Sequence, residues 1–362
     1  MSEQIGQKSH YKKGKGFILA MEKTDSANFN NKRKILSKLK CNNQFSRIDL
    51  SKDLNITKAS ITNITNEFIK QGIVYESGIA QEATTRGRKK INLCLNENYK
   101  FALGATITKS QISVGLSTLK GQLIDKMVVS MSQKAYRDIL SDIVQSIQLI
   151  IRNNCLEEEK ILGLGVCVAE NAIDLIDGND KFLKIKRDLS HALDINIVAV
   201  PLSMGVFVAQ ENLSDNYDSK GLNLFILYGQ EISSCLYFNN SIYMPKQSRP
   251  FGFAALQQKY NCNRYVKYQQ DFSQCQDEKE KVRIRDQFES DLANDIALCD
   301  LMMVPDNIYV LGDYFDEEVN IQKINSKLNG ISLKNAFVKS DKICIAGCAI
   351  AIEQFFYQTA GN

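Results

Sequence analysis

Two stretches of this sequence carry residue types and spacings suited to chemistry on an anionic duplex. One is Thr57-Lys58-Ala59-Ser60-Ile61-Thr62-Asn63, a run of short hydrogen-bonding side chains beside a cation. Thr, Ser and Asn can donate to or accept from base edges in a major groove, and a small residue such as Ala59 allows close approach. The other is Arg86-Gly87-Arg88, slim enough to enter a minor groove, where the negative potential of narrow A·T tracts favours guanidinium. Residues for metal chemistry are sparse. The two histidines, His10 and His191, are far apart in the sequence, and the ten cysteines include no CxxC pair. A structural zinc wants four nitrogen or sulfur ligands, so no metal is expected. Cys344 and Cys348, one helical turn apart among apolar neighbours, read as core packing, and His191 as an ordinary surface residue.

The elements that would position the first stretch are legible from periodicity. Residues 31–39 predict a helix with Ile35, Leu36 and Leu39 on one face and cations on the other. Residues 41–45 break it. Ser46 can cap a second helix over 47–54, whose Ile48, Leu50 and Leu54 suit one packed side. After the turn Asn55-Ile56, Thr57 caps a third helix running to about residue 69. At 100° per residue, Ile61, Ile64 and Phe68 cluster toward a core, while Ala59, Thr62, Asn63 and Asn66 point away, flanked by Lys58 and Ser60. That outer face is open to two readings, a base-reading surface or an ordinary solvated face. The residues C-terminal to the helix weigh toward the first. Residues 72–76 read as a helix stop and a strand, and 90–95 alternate as a second strand. Helix, helix, turn, helix and a basic hairpin make a winged helix-turn-helix. Arg47, at the start of the second helix, then suits a phosphate clamp.

Charge distribution agrees. The whole chain of 362 residues has a formal net charge of +4, but residues 1–100 carry 19 Lys/Arg against 9 Asp/Glu, leaving the remainder net acidic. A basic front and an acidic back suggest a nucleic-acid module joined to a body of another kind. The 44% hydrophobic content supplies a sizeable core. No run of about 18 uncharged apolar residues occurs, so no membrane span is expected. The apolar stretch 16–21 is too short for a signal-peptide core, and scattered cysteines suit reduced thiols in a cytoplasm. Alternating helical and strand patterns over the rest predict α/β architecture. Residues 271–291 read as one charged, solvated helix.

Ser46-Arg47…Leu50, Thr57-Lys58-Ala59-Ser60-Ile61-Thr62, Gly72-Ile73-Val74 and Gly87-Arg88 together resemble the reading head of the ROK family (repressors, open reading frames, kinases), in its repressor branch. Lys89 stands where the family usually has Pro after Gly-Arg. The resemblance implies an α/β fold with an N-terminal winged helix-turn-helix and a C-terminal two-lobed, actin-like (ribonuclease-H-like) ROK body. The expected division is a basic arm over 1–30, the DNA-binding domain over 31–97 and the body over 98–362. Lobe one would span about 98–202 plus a C-terminal helix over 343–356, and lobe two about 203–342.

The family's kinase positions are replaced together. The resemblance puts Thr106 where an acid serves the nucleotide phosphates and metal, and Ser203 where a catalytic Asp belongs; Ser lacks the basicity to take a sugar hydroxyl's proton unaided. The phosphate hairpin keeps Gly229 but places Glu231 where phosphate should approach, and a carboxylate there repels it. The Glu-x-Gly-His stretch reduces to Pro250-Phe251-Gly252-Phe253, and the zinc cysteines to Cys262.

The expected function is a sequence-specific DNA-binding transcriptional regulator, a repressor, with a catalytically inactive, pseudokinase-like body that dimerises the heads and senses a ligand, in carbohydrate metabolism. Lys58, Ser60, Thr62 and Asn63 would lie in the major groove, with Arg86 and Arg88 about Gly87 in the minor groove. Ser203, Glu231, Arg249 and Asn171 are candidates for a modified ligand cleft. The expected partners are double-stranded DNA, a second copy or a tetramer of this chain, and a small-molecule effector; no cofactor is expected. The alternatives are a sugar kinase of the same family and a sensor of a non-sugar metabolite.

Overall fold

A computed structural model describes residues 17–18, 27–40, 45–79, 91–169, 172–176, 180–214, 221–229, 232–238, 241–244, 252–259 and 264–359. The chain opens with β1 (Phe17–Ile18), α1 (Ala27–Lys40), β2 (Phe45–Ser46), α2 (Arg47–Leu54), α3 (Lys58–Lys70), β3 (Val74–Ile79) and β4 (Ile91–Leu95). The strands β2, β4 and β3 form a small antiparallel sheet in that order. The first helix starts four residues before its expected onset, and Phe29 in the added turn is buried along with Lys32, Ile35, Leu36 and Leu39. The buried Lys32 ammonium is paired at 2.8 Å with Glu67 of α3, which offsets its desolvation.

Lobe one comprises β5 (Phe101–Ile107), β6 (Gln111–Ser117), β7 (Leu123–Ser130), α4 (Tyr136–Asn153), β8 (Ile161–Val168), α5 (Lys181–Ser190), β9 (Ile197–Pro201) and α6 (Leu202–Leu213). Its sheet runs β7-β6-β5-β8-β9, with β5, β8 and β9 mutually parallel. Lobe two comprises β10 (Asn223–Tyr228), β11 (Ile232–Phe238), β12 (Ser241–Met244), α7 (Gly252–Lys259), α8 (Arg264–Gln274), α9 (Glu278–Met303), β13 (Asn307–Leu311), α10 (Glu318–Lys327) and β14 (Leu333–Asn335). The order β12-β11-β10-β13-β14 repeats that of lobe one, a meander of three antiparallel strands followed by two parallel ones. The short β1 adds to the β12 edge, so the chain's first described residues lie on lobe two.

The C-terminal helix α11 (Ile345–Ile352) returns to lobe one, buried on all sides. The expected single helix over 343–356 differs at its end: α11 passes into a wider π-helical turn, Glu353–Tyr357. Two further expectations are corrected. Residues 271–291 form no continuous helix, since α8 stops at Gln274 and Asp277 caps α9 by accepting from the Lys279 N–H. Aromatic rings hold the two together, with Tyr268 stacked on Phe288 at a centroid distance of 4.2 Å. Ile48 does not share the packed side of α2; it is exposed, and Leu50 supplies that helix's buried contact. Cys344 and Cys348 are fully buried, as core packing requires.

One apolar cluster fills lobe one and continues into lobe two through Phe225, Tyr237 and Tyr309. Phe207 of α6 makes the junction, stacked on Tyr237 at 3.8 Å and edge-on to Phe225 at 6.0 Å. A second cluster joins Ile35, Leu36, Leu39, Ile61 and Phe68 to Ala351, Ile352, Phe356 and Tyr357 of the C-terminal segment. The N-terminal helices and lobe one therefore share buried surface, and removing apolar area from water is the term that binds them.

Candidate nucleic-acid interface

The local sequence explains how α3 is presented. Ser46 caps α2 by accepting from the Asp49 N–H, and Asp49 accepts in return from the Ser46 N–H and hydroxyl. Asn55 ends α2 in the left-handed region at φ 52°, a conformation Asn tolerates better than most residues. Within the turn, the Ser51 hydroxyl donates to the Ile56 carbonyl at 2.7 Å. Thr57 then starts α3 by accepting from the Ser60 N–H.

Ile61, Ile64 and Phe68 are buried beneath the helix, and Lys58, Ala59, Thr62, Asn63 and Asn66 are exposed above it. The exposed side chains differ in what they still offer. The Thr57 hydroxyl donates to the Ser60 hydroxyl at 2.9 Å, and Thr62 donates to the Lys58 carbonyl at 2.8 Å. Thr62 is thus left with its acceptor lone pairs and its methyl. Asn63 engages no partner among the described residues and keeps both halves of its amide.

Arg47, the expected phosphate clamp, makes three hydrogen bonds within the head. Its Nε donates to Thr65 Oγ1 at 3.1 Å, one terminal nitrogen to Glu76 Oε1 at 2.9 Å and the other to Asn66 Oδ1 at 3.1 Å. It ties the start of α2 to the middle of α3 and to β3. The strands β3 and β4 pair as the expected hairpin, with an irregularity between Glu76 and Gly78. Arg86, Gly87 and Arg88 lie outside the described residues, as do Asn171, Glu231 and Arg249 of the expected ligand cleft.

Ser203 is buried in the first turn of α6. It borders a gap walled chiefly by Leu202, Val206, Phe225, Leu227 and Leu311, with Ser233 and Ser234 on one side. Thr106 is fully buried and donates to the Ile343 carbonyl at 3.1 Å, so its hydroxyl is engaged by the C-terminal segment. His191 is exposed at the end of α5.

Sequence reasoning missed the contact between head and body. Arg33 of α1 pairs at 2.8 Å with Glu353, whose other oxygen accepts from Asn212 at 2.8 Å, and Lys40 donates to the Glu211 carbonyl at 2.9 Å. The signal was present: Glu353 is the sole charged residue after Lys342, in a run otherwise apolar or neutral. Burial raises the Glu211 carboxyl above its ordinary value, the Glu353 charge raises it further, and Arg33 and Lys40 oppose the shift. A carboxyl raised on folding binds more protons in the folded state, so its ionisation lowers stability as pH rises through the folded value. Glu211→Gln is expected to unfold at a higher urea concentration than wild type at pH 8. That difference should shrink toward pH 5; an equal or lower midpoint at pH 8 would refute the assignment.

No family model matches the chain. It is 24% identical over 194 residues to a xylose repressor of Bacillus spizizenii, covering 52% of this chain and 48% of that protein. It is 25% identical over 144 residues to a xylose repressor of Staphylococcus xylosus, covering 38% and 36% respectively. The chain thus matches at most about half the length of these curated relatives. Among solved structures, a ROK family transcriptional regulator, a homolog of the E. coli MLC protein, matches with a TM-score of 0.59 at 16% identity, over 92% of this chain and 97% of that one. A ROK family glucokinase from Streptomyces griseus, in complex with glucose and AMPPNP, matches with a TM-score of 0.51 at 12% identity, over 70% and 99%. The glucokinase match covers less of this chain than the regulator match does, and the two matches give this chain, a three-helix head joined to two lobes of like strand order, a fold similar to that of these solved ROK family proteins.

Proposed function

We propose that the chain is a DNA-binding transcriptional regulator, a repressor, in which α1 to β4 form a winged helix-turn-helix and the two-lobed body has no kinase activity. The observation that carries this reading is the division of α3. Its buried face locks it to the head, and the opposite face presents Lys58, Thr62 and Asn63 at the helix's N-terminal half, the part that meets base edges in helix-turn-helix proteins. Support comes also from the relatives, which are named xylose repressors, and from the solved ROK regulator.

Ser203 supports an inactive body, because a buried serine beside an apolar gap has neither the charge nor the basicity of a catalytic carboxylate. Thr106, bonded to a backbone carbonyl, likewise supplies no acid for a metal-bound phosphate. In this reading Ser203, Asn171, Glu231 and Arg249 belong to an effector cleft, Arg86, Gly87 and Arg88 form the wing, and two copies of the chain bring two heads to a two-fold site.

The test is selection of duplexes from a random double-stranded library on the full chain, followed by binding as a function of salt. A steep fall of affinity with salt is expected from phosphate neutralisation. ATP turnover over a sugar panel is expected at background; turnover of one sugar, or no duplex retained at low salt, would overturn the proposal. Replacing Arg86 and Arg88 together by Ala is expected to weaken A·T-rich sites most, by about tenfold or more, in competition binding. An equal loss on all sequences would leave the wing with phosphate contacts alone.

A further inference from the structure

The three donors that Arg47 commits have a consequence for Asn66. Asn66 is exposed on the outer face of α3, and the atom of its amide that faces Arg47 must be the oxygen, because a guanidinium only donates. Flipping the amide would set N–H against N–H. The side chain is therefore fixed in one sense, with its nitrogen turned away from Arg47 and engaging no partner among the described residues. The clamp that fixes it is itself held at two other points. Thr65, fully buried, accepts from Nε, and Glu76 on β3 accepts from the remaining terminal nitrogen. Asn63, one helical step earlier on the same face, carries no such restraint.

Resting on the DNA-binding reading above, we infer that Arg47 is a positioning residue, and that it sets Asn66 as a hydrogen-bond donor to an acceptor on the duplex. The acceptors of that class are purine N7, guanine O6, thymine O4 and a phosphate oxygen. Recognition of adenine through both halves of an amide then falls to Asn63, whose oxygen and nitrogen are both available. The arrangement also couples wing and recognition helix, since the Glu76 carboxylate on β3 and the Asn66 amide on α3 share one guanidinium.

The test uses the full chain and duplexes selected from a random double-stranded library. Asn66→Asp keeps the shape and the contact with Arg47 but removes the outward donor, so binding is expected to fall about tenfold with the thermal midpoint unchanged or raised. Asn66→Ala should weaken binding by a similar factor. Arg47→Lys should weaken binding by a similar factor, and combined with Asn66→Ala it should add nothing, because both changes remove one interaction. Arg47→Gln should leave the slope of log affinity against log salt unchanged, whereas a phosphate clamp would lower it by about 0.9. Substituting 7-deazapurines (for N7), 2-aminopurine (for guanine O6), 5-methyl-2-pyrimidinone (for thymine O4) or methylphosphonates one position at a time distinguishes a base acceptor from a phosphate; abolition of the Asn66→Ala effect by one of them supports the assignment, and its survival through all of them overturns it. Additive losses for Arg47→Lys and Asn66→Ala, or Asn66→Asp binding as tightly as wild type, would overturn it while leaving DNA binding intact. Failure of the wild-type chain to retain any duplex at low salt is a separate outcome and would remove the DNA-binding reading itself.

Discussion

Gly165→Ala is expected to prevent lobe one from reaching its native packing, at a cost of about 4 kcal/mol or more. Gly115, Gly104 and Gly165 lie side by side across β6, β5 and β8, because Gly104 pairs with Gly115 on one side and with Gly165 on the other. They form a trough in the sheet into which α11 sinks. A Cβ on Gly165 would sit 2.0 Å from the Gly347 carbonyl oxygen, and one on Gly347 would sit 2.4 Å from the Gly165 oxygen. At Gly104 the nearest atoms are again backbone, the Cys344 oxygen at 2.2 Å and the Cys348 nitrogen at 2.3 Å. No side chain can swing aside to relieve such contacts, so the helix would have to lift from the sheet, leaving close-packed atoms without partners. Gly72→Ala is the control: its φ of +76° disfavours a side chain, but nothing lies within 4 Å of the added atom. That change should cost only about 1–2 kcal/mol. Urea unfolding of both variants, monitored by circular dichroism, separates the two effects. A Gly165→Ala midpoint within error of wild type would show that the helix does not rest on this trough.

Arg33→Ala should loosen the joint between head and body. Glu353 is buried, and truncating its cation leaves a desolvated carboxylate bonded to Asn212, with Glu211 close enough to repel it. Breaking a buried pair on one side costs about 3–5 kcal/mol, and the one-third exposure of the Arg33 side chain moves the expectation to about 2 kcal/mol. Adding Glu353→Gln to Arg33→Ala should recover most of that loss, since a neutral amide can still accept from Asn212. Hydrogen exchange along α1 and urea unfolding provide the readouts. Unchanged exchange and stability in Arg33→Ala would mean that the apolar cluster alone holds the head.

The reach of sequence reasoning differs from element to element. The three helices, the Ser46 and Thr57 caps of α2 and α3, and the buried triad Ile61, Ile64 and Phe68 are legible because each rests on neighbours within one or two turns, where periodicity and capping chemistry act. The same local rules misplace Ile48. Its apolar character suggests a packed position, yet α2 is eight residues long and turns only Leu50 fully inward. The contacts Arg47 makes within the head are long-range: Thr65, Asn66 and Glu76 are 18, 19 and 29 residues away, and only the folded head brings them to one guanidinium. The charged segment around Asp277 reads as one helix because local charge patterning carries no signal for the aromatic contacts that fold α8 back on α9.

Residue order alone determined the helix and strand types of the head and the polar outer face of α3, because these depend on side-chain chemistry and short spacings. Tertiary structure decided the glycine trough beneath α11, the guanidinium bridge to Asn66 and the Arg33–Glu353 joint. Each depends on sheet register or on contacts spanning tens to hundreds of residues, and no local pattern encodes which distant backbone or carboxylate will arrive there.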